Sequence, residues 1–259
     1  VVTNIDREHM DFFKTIEALK EAFLSFINKV PFYGTAVVCI ENEQLRELMP
    51  SVHRRYLTYG LTPEAQLYAD TIQRGFLSVS FNAIYKGNNI GTFDLPAPGT
   101  HNLLNCLAAI GVALIVKIDI RIIQDALREF SGVQRRIELK GDAEGVLIFD
   151  DYGHHPTEVR ETLAAASHVW KFRRVVVFQP HRYTRTKALF DEFTRAFTGA
   201  DVLIVNTCGF IEPARIESLE AVRQAIATSQ HLQAHPLPSL RALAAPSRHL
   251  SRAMQEALA

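Results

Sequence analysis

The chain has few cysteines and no net charge, and both absences narrow the classes of protein to which it can belong. Its 259 residues include three cysteines, Cys39, Cys106 and Cys208, which lie far apart and form no CxxC pair. That spacing argues against a disulfide framework and a zinc ribbon, and it favours a reducing cytosol. Lysine plus arginine and aspartate plus glutamate each number 28. No global field therefore attracts nucleic acid or an anionic membrane, and any anion site must be local.

Long apolar runs are absent too. No run approaches the roughly 20 residues that cross a bilayer, and the first residues lack the charged-then-apolar order of a signal peptide. The opening VVTNID reads as the end of a buried strand, so we expect the chain to begin inside a domain. A hydrophobic content of 47% over this length allows two domains. A shift to charged and glycine-rich residues after Gly132 predicts their boundary, giving domains of residues 1–132 and 133–259.

The stretch of residues 146–185 predicts a βαβ unit, and hence an α/β fold with a parallel sheet. Its strands are VLIFDD and RVVVFQ, and the helix between them has Val159, Leu163 and Ala166 on one face. The carboxyl ends of neighbouring parallel strands share one edge, where the polar residues that follow them converge. Those residues are Asp150, Asp151, Tyr152, His154 and His155 after the first strand, and His181, Arg182 and Arg185 after the second. Such a set suits nucleotide, phosphate or carboxylate binding.

The two histidines of this stretch have a second interpretation. They precede Pro156, whose fixed φ suits the first position of a helix, so His154 and His155 could belong to a purely structural turn. Against that interpretation, Arg182 and Arg185 would repel each other unless an anion were present between them.

Three smaller groups outside this stretch are also candidates. His9 lies among carboxylates where a strand end opens into a helix, which suits either a divalent cation or a simple helix N-terminus. Asn102 and Asn105 share the first turn of a predicted helix. Their amides could form hydrogen bonds with the edge of an adenine ring, or they could cap the turn. Arg136, next to Arg135 at the domain boundary, could reach a phosphate or be a solvated surface residue.

Apolar periodicity predicts the other elements. Strands are expected at residues 36–40 and 56–60, with a hairpin over residues 76–95. One long helix is expected over residues 12–30, with Phe12, Phe23 and Phe26 among its apolar face. A helix from about Thr100 is expected to turn Leu104, Leu107, Ala108 and Val112 inward. The helix over residues 118–130 is expected to have Ile122, Ala126 and Phe130 on one side.

Six motifs together resemble the Mur ligase family of peptidoglycan synthesis, and within it the branch that joins L-alanine to UDP-N-acetylmuramate. They are NIDREHMD, FYGTAVVC, APGTHNLLNCLAA, GVQRR, DDYGHHPTEV and VVFQPHRYTRT, and they cover about residues 1–205. The resemblance implies part of a central ATPase domain followed by a Rossmann-like C-terminal domain. It also implies a cytoplasmic, ATP-dependent ligase: the muramate carboxylate attacks the γ-phosphate of ATP, L-alanine attacks the acyl phosphate, and phosphate leaves. Mg²⁺ and basic side chains stabilise the charge on the transferring oxygens.

The resemblance also implies roles for individual residues. His9 matches a metal-ligating histidine, and His101, Asn102 and Asn105 match the helix start that contacts adenine. Arg136 matches an arginine on the phosphate side, and Asp151 matches a carboxylate on the ribose. The positions expected around L-alanine and the muramate substrate are Tyr152, His154, His181, Arg182 and Arg185, of which the four histidines and arginines are the candidate catalytic residues.

Two departures from the family pattern lead to further expectations. The UDP-sugar domain and the glycine-rich phosphate loop are absent upstream of Val1, so we expect this polypeptide alone not to turn over. Residues 202–226 resemble the N-terminal stretch of radical-SAM methylthiotransferases, although Cys208 lacks the partner thiolates that an iron–sulfur cluster needs. A junction or a divergent terminus is then expected after residue 205. Two alternative functions stay open, a murein-peptide-recycling ligase and a non-catalytic nucleotide-binding fragment.

Overall fold

The chain consists of two compact units, Val1–Gln134 and Arg135–Ala259. A computed structural model describes residues 1–143, 145–169, 172–180 and 183–205. Cys208 and the stretch predicted to depart from the family after residue 205 lie outside these residues. The α/β class predicted from the sequence is confirmed, because both units combine helices with strands that include parallel pairs. No helix in the described ranges is both long and apolar enough to cross a membrane.

The first unit is built on a five-stranded sheet. Its strands, in spatial and chain order, are β1 (Ala36–Cys39), β2 (Tyr56–Gly60), β3 (Leu67–Arg74), β4 (Val79–Tyr85) and β5 (Asn88–Leu95). Strands β1 to β3 pair in parallel, and β3 to β5 form an antiparallel meander. Val2 adds an isolated parallel bridge to Val38 on β1. The helices are α1 (Met10–Phe13), α2 (Ile16–Asn28), α3 (Glu43–Leu48), α4 (Thr100–Ile115) and α5 (Ile120–Arg128).

The core of this unit is formed by the sheet together with buried residues of α2, α3, α4 and α5. All four residues of β1 are buried, as are the stacked rings of Phe81 and Phe93, whose centroids are 5.9 Å apart. Helix α4 comes very close to the sheet at Gly111. A Cβ atom there would lie 3.1 Å from Leu57 Cδ2 and 3.3 Å from Val37 Cγ1. A Cβ at position 111 would therefore require these two side chains to shift by a few tenths of an ångström.

Both cysteines of the first unit belong to this core. Cys39 lies on β1 and Cys106 on α4, and both thiols are buried and free of disulfide bonds. Burial raises the pKa of Cys106 to about 12. Burial also raises the pKa of Cys39 above its ordinary value. Both side chains therefore stay protonated and act as small apolar groups.

The single long helix predicted over residues 12–30 is wrong, because the chain breaks at Lys14. Lys14 has a φ of 67°, and the hydroxyl of Thr15 then caps α2 by accepting a hydrogen bond from the Ala18 N–H. Phe12 and Phe26, predicted on the apolar face, are 77% and 60% exposed. A local cap and a left-handed residue outweighed the apolar periodicity.

The predicted inner faces of α4 and α5 are shifted relative to the observed ones. On α4, Leu107 and Ala108 are buried as predicted, but Leu104 is only partly buried and Val112 is 38% exposed. The other buried positions of α4 are Leu103, Cys106, Ile110 and Gly111. On α5 the predicted side is the solvent side, since Ile122 is 62% exposed whereas Ile123 is buried.

The second unit has four described strands in two separate pairs. Strand β6 (Glu138–Ala143) pairs antiparallel with β7 (Val146–Asp150), and β8 (Val175–Phe178) pairs in parallel with β9 (Val202–Val205). The helices are α6 (Pro156–Val169), α7 (Tyr183–Ala188) and α8 (Phe190–Ala196). The prediction that the strands VLIFDD and RVVVFQ are neighbours is not met within the described residues, where each pairs with another strand. Strand β6, which the sequence analysis missed, takes the place beside β7.

Helix α6 begins and packs as predicted. It starts at Pro156, and Val159, Leu163 and Ala166 are all buried. Val159 and Leu163 pack in a cluster with Phe178 on β8 and Phe193 on α8. The apolar periodicity of this helix therefore fixed which side faces the strands.

Candidate functional site

The turn after β7 is held by the carboxylate of Asp151. Its Oδ1 accepts a hydrogen bond from the Gly153 N–H at 2.7 Å, and its Oδ2 accepts one from the Ile137 N–H at 3.0 Å. Ile137 has a φ of 49°, which is rare for a β-branched residue and indicates strain. Each oxygen retains a lone pair after these bonds, so Asp151 can still accept hydrogen bonds from ligand hydroxyls.

The start of α6 forms a capping box built around Glu158. Glu158 Oε2 accepts hydrogen bonds from the His154 and His155 N–H groups at 2.9 and 3.2 Å. In return, His155 Nδ1 accepts a hydrogen bond from the Thr157 N–H at 3.3 Å. With Nδ1 as acceptor, the neutral ring carries its proton on Nε2. The reciprocal bonds fix the His154–His155 turn above the helix.

Two consecutive arginines contact different residues of this turn. Arg135 has a φ of 58°, and its Nε lies 3.2 Å from Asp150 Oδ2 while its guanidinium covers the Tyr152 ring at 4.7 Å. Arg136 Nη2 lies 3.2 Å from Glu158 Oε1. The turn therefore carries two cations and three carboxylates, counting Asp151, in close contact.

Opposing effects act on the pKa of Glu158. Burial raises its pKa, but hydrogen bonds from the His154 and His155 N–H groups and the positive charge of Arg136 outweigh burial, so the pKa lies below its ordinary value of 4.5. The ionised carboxylate is therefore the form that stabilises the turn.

This shift predicts a pH-dependent contribution to stability. Since the folded pKa is the lower one, the contribution is fully present above pH 4.5 and is lost as the pH falls through the folded value. We expect Glu158→Gln to lower the free energy of unfolding by about 0.5–1 kcal/mol at pH 7, given the partial exposure of the pair, and by less at pH 3. Urea unfolding at a series of pH values measures the difference. Glu161→Gln on the same helix is the control, and a difference independent of pH would contradict the prediction.

Four of the predicted site residues meet in this cluster. Besides Arg136 and Asp151, it contains Tyr152, which is 50% exposed, and His154, whose Nδ1 lies 2.9 Å from the Tyr152 carbonyl oxygen. The rings of Tyr152 and His154 meet edge to face at 5.2 Å. Arg185 lies on α7 in the same unit, and the predicted residues His181 and Arg182 lie outside the described residues.

Three further predicted residues lie at the start of α4 in the first unit. Asn102 Nδ2 donates to the Pro98 carbonyl oxygen at 2.7 Å, so this amide closes the turn before the helix. Asn105, one turn further on, is exposed, and His101 is partly buried. Arg74 Nη2 donates to Thr100 Oγ1 at 3.1 Å at the same helix end. Asn105 therefore presents an amide to solvent, whereas the NH₂ group of Asn102 is engaged within the turn.

His9, the predicted metal ligand, has one carboxylate close to its imidazole ring. It precedes α1 with a φ of 55°, its side chain is 63% exposed, and its Nε2 lies 3.8 Å from Glu8 Oε2. In the part of the chain that the structure describes, no three His, Cys, Asp or Glu side chains are grouped to hold a metal ion. A cation at His9 would take its remaining ligands from substrate or water.

The sequence analysis missed one residue of the cluster, Glu158. Its signal was present in the motif HPTE, where His155 is the residue before the helix and Glu158 is the third helical residue. That is the spacing of a capping box, although Ser or Thr more commonly takes the first position.

Comparison with known families assigns both units. The family model for the Mur ligase middle domain matches residues 1–113, and the model for the Mur ligase glutamate ligase domain matches residues 135–256. The second match includes residues 202–226, so the expected likeness to methylthiotransferases is not supported. The fold therefore has the middle and C-terminal domain architecture of Mur ligases.

Individual relatives agree with these matches. A UDP-N-acetylmuramate–L-alanine ligase of Geotalea daltonii is 48% identical over 235 residues, which are 91% of this chain and 50% of the relative. A ligase of the same name from Desulfosudis oleivorans is 50% identical over 206 residues, covering 79% of this chain and 45% of the relative. The chain thus spans about half the length of the curated relatives it matches.

Solved structures show the same fold. The UDP-N-acetylmuramate–alanine ligase of Thermotoga maritima has a TM-score of 0.66 and 23% identity, covering 86% of this chain and 48% of that one. A pseudomurein peptide ligase type C from Methanothermus fervidus has a TM-score of 0.71 and 18% identity, covering 99% of this chain and 57% of that one.

Proposed function

We propose, because the chain belongs to the Mur ligase family, that the whole protein joins L-alanine to UDP-N-acetylmuramate at the expense of ATP in peptidoglycan synthesis. The observation that carries this proposal is the 48% identity, over 91% of the chain, to a ligase of that name. In the proposed reaction a muramate carboxylate oxygen attacks the γ-phosphorus and ADP leaves. The amine of L-alanine then attacks the acyl carbon and expels phosphate.

Three of the described side chains could each bind a different part of a nucleotide. The Asp151 carboxylate keeps one lone pair on each oxygen for the ribose hydroxyls after accepting the Ile137 and Gly153 N–H groups. Arg136, 41% exposed, can turn its guanidinium toward a phosphate. The exposed amide of Asn105 offers a donor and an acceptor to the edge of adenine. We propose Asn105 as a nucleotide contact of the first unit, and Asp151 and Arg136 as nucleotide contacts of the second unit.

We propose that the cluster after β7 and the arginines that follow β8 bind L-alanine and the muramate substrate. Tyr152 and His154 are neighbours there, since Arg135 covers the Tyr152 ring and the Tyr152 carbonyl oxygen contacts His154 Nδ1. Together with Arg185, and with His181 and Arg182 from the same motif, they would hold the carboxylates of L-alanine and the muramate. Guanidinium groups suit carboxylates because their paired donors match the two oxygens.

Magnesium would bind with ATP rather than in a preformed site. His9 provides one exposed imidazole, whereas Mg²⁺ prefers several oxygen ligands in octahedral geometry. We therefore propose that His9 contributes one ligand and that phosphate and water oxygens complete the set. We also propose a cytoplasmic location, which agrees with the buried free thiols of Cys39 and Cys106.

The test measures phosphate release from ATP by the whole protein in the presence of UDP-N-acetylmuramate. We expect release that depends on L-alanine and is not supported by a murein tripeptide. Release that depends on the tripeptide would instead favour a recycling ligase. No release with either amine, together with retained ATP binding, would favour a nucleotide-binding protein without ligase activity.

The nucleotide contact in the first unit is tested by Asn105→Ala. We expect the affinity for MgATP to fall about tenfold, because one hydrogen bond to adenine is lost. Calorimetry with MgATP and with inorganic triphosphate measures the effect, and only the ligand that contains adenine should be affected. Equal loss for both ligands would show that Asn105 acts on the fold rather than on adenine.

A further inference from the structure

The ion pair between Arg136 and Glu158 uses only part of each side chain. A single contact of 3.2 Å joins Arg136 Nη2 to Glu158 Oε1, and the two side chains are 41% and 30% exposed. Arg136 Nε and Nη1 make no hydrogen bond with any other residue that the structure describes. Singly bonded, partly exposed ion pairs are weak, so an incoming anion can compete for this guanidinium.

Glu158, in contrast, cannot easily move away from the arginine. Its second oxygen, Oε2, accepts the His154 and His155 N–H groups at 2.9 and 3.2 Å as part of the capping box. The carboxylate is thus fixed by the start of α6, and its negative charge stays in place when Arg136 turns to another partner. A fixed negative charge beside an arginine opposes the binding of phosphate there.

We propose that Glu158 is a positioning residue that serves as the resident counter-ion of Arg136 and limits how tightly this site holds the phosphates of a nucleotide. The inference rests on the proposed function, in which Arg136 contacts those phosphates. Glu158 keeps the arginine oriented when no ligand is present. It then competes with the ligand, so that binding of a polyphosphate exchanges one anionic partner of Arg136 for another.

The competition predicts a gain of affinity when the charge is removed. Glu158→Gln retains an oxygen that can accept the two N–H groups of the cap but lacks the negative charge. We expect its affinity for inorganic triphosphate and for MgATP to rise three- to tenfold. A variant that only damaged the fold would lose affinity, so a gain separates the two roles.

The experiment follows the side-chain Nε–Hε resonance of Arg136 in the 259-residue chain by NMR, assigned with Arg136→Gln, during titration with each ligand. Glu161→Gln removes the same charge from the same helix and should change affinity by less than twofold. Glu158→Asp keeps the charge and a capping side chain, and should bind like the unmodified chain. In the Arg136→Gln background, where the titration is followed through the backbone amide shifts of His154, His155 and the first turn of α6, Glu158→Gln should give no gain. Amide shifts of α6 show whether each variant keeps the helix.

Several results would overturn the inference. These are an unchanged or weaker affinity in Glu158→Gln with α6 intact, an equal gain in the Arg136→Gln background, or no shift of the Arg136 resonance with either ligand. If the proposed function is wrong, a different set of results is expected. Triphosphate binding would then respond to Glu158→Gln as expected, while MgATP would bind no more tightly than triphosphate and Asn105→Ala would affect neither ligand.

Discussion

Replacing Asp151 with alanine is expected to lower the free energy of unfolding of the second unit by about 3 kcal/mol. The Asp151 carboxylate is the acceptor for the N–H groups of Ile137 and Gly153, and both hydrogen bonds are partly buried. Each N–H left without an acceptor costs about 1–3 kcal/mol. Relaxation of the strained Ile137 backbone offsets part of that loss. Native-state hydrogen exchange of the amides in β7 measures the change.

Two further variants locate the origin of this effect. Asp151→Asn keeps one acceptor oxygen but turns an NH₂ group toward the other N–H, so about half of the loss is expected. Asp150→Ala is the matched control at the neighbouring position, because its carboxylate makes a partly exposed ion pair with Arg135 that is worth at most about 1 kcal/mol. If Asp150→Ala destabilised the unit as much as Asp151→Ala, charge rather than the two backbone hydrogen bonds would be responsible.

Replacing Phe93 with alanine is expected to destabilise the first unit by about 3–5 kcal/mol. Phe93 is fully buried on β5 and stacks on Phe81 of β4 at a centroid distance of 5.9 Å. Truncation loses the transfer free energy of the ring and leaves a cavity in the core of the first unit. Hydrogen exchange of the β4 and β5 amides reports the loss in this unit.

The size of the cavity can be varied with matched substitutions. Phe93→Leu fills most of the space and is expected to cost about 1 kcal/mol. Phe32→Ala removes a ring that is 82% exposed, so a change within about 0.5 kcal/mol is expected. A loss under 1 kcal/mol for Phe93→Ala would mean that the surrounding side chains collapse into the cavity and that the ring is not central to the core.

The helices show where sequence patterns suffice. Helix α6 has one apolar face, with Val159 and Leu163 separated by polar residues, and that face packs as predicted. Helix α5 contains Ile120, Ile122 and Ile123, so two different faces of this helix are almost equally apolar. Helix α5 packs against β5, and Gln124 Nε2 donates a hydrogen bond to the Thr92 carbonyl oxygen. This packing determines that the face with Ile123 is the buried one. Local periodicity does not contain that information.

Strand partners are harder to predict than strands. Both VLIFDD and RVVVFQ form strands, but the partner of the first is β6, whose residues include Lys140, Gly141 and Asp142. Charged and glycine residues conceal a strand that is largely exposed, with Leu139 44% accessible. Pairing depends on residues distant in sequence, so neither strand alone specifies its neighbour.

The candidate site was predicted best where its contacts are local. Asp151, Tyr152 and His154 follow β7 within five residues, and the turn that joins them forms from their own backbone and side chains. Arg136 joins them because β6 and β7 pair, which the sequence did not reveal. The family motifs suggested Arg136 nevertheless, since the resemblance contains long-range information that periodicity lacks.

The buried thiols of the first unit make it possible to measure how often this unit opens transiently. Cys39 and Cys106 are shielded and protonated at neutral pH, so an alkylating reagent can modify them only in molecules that have transiently exposed β1 or α4. Peptide mapping by mass spectrometry separates these sites from Cys208. The rate of alkylation at each cysteine would then report the lifetime of the closed sheet without any engineered probe.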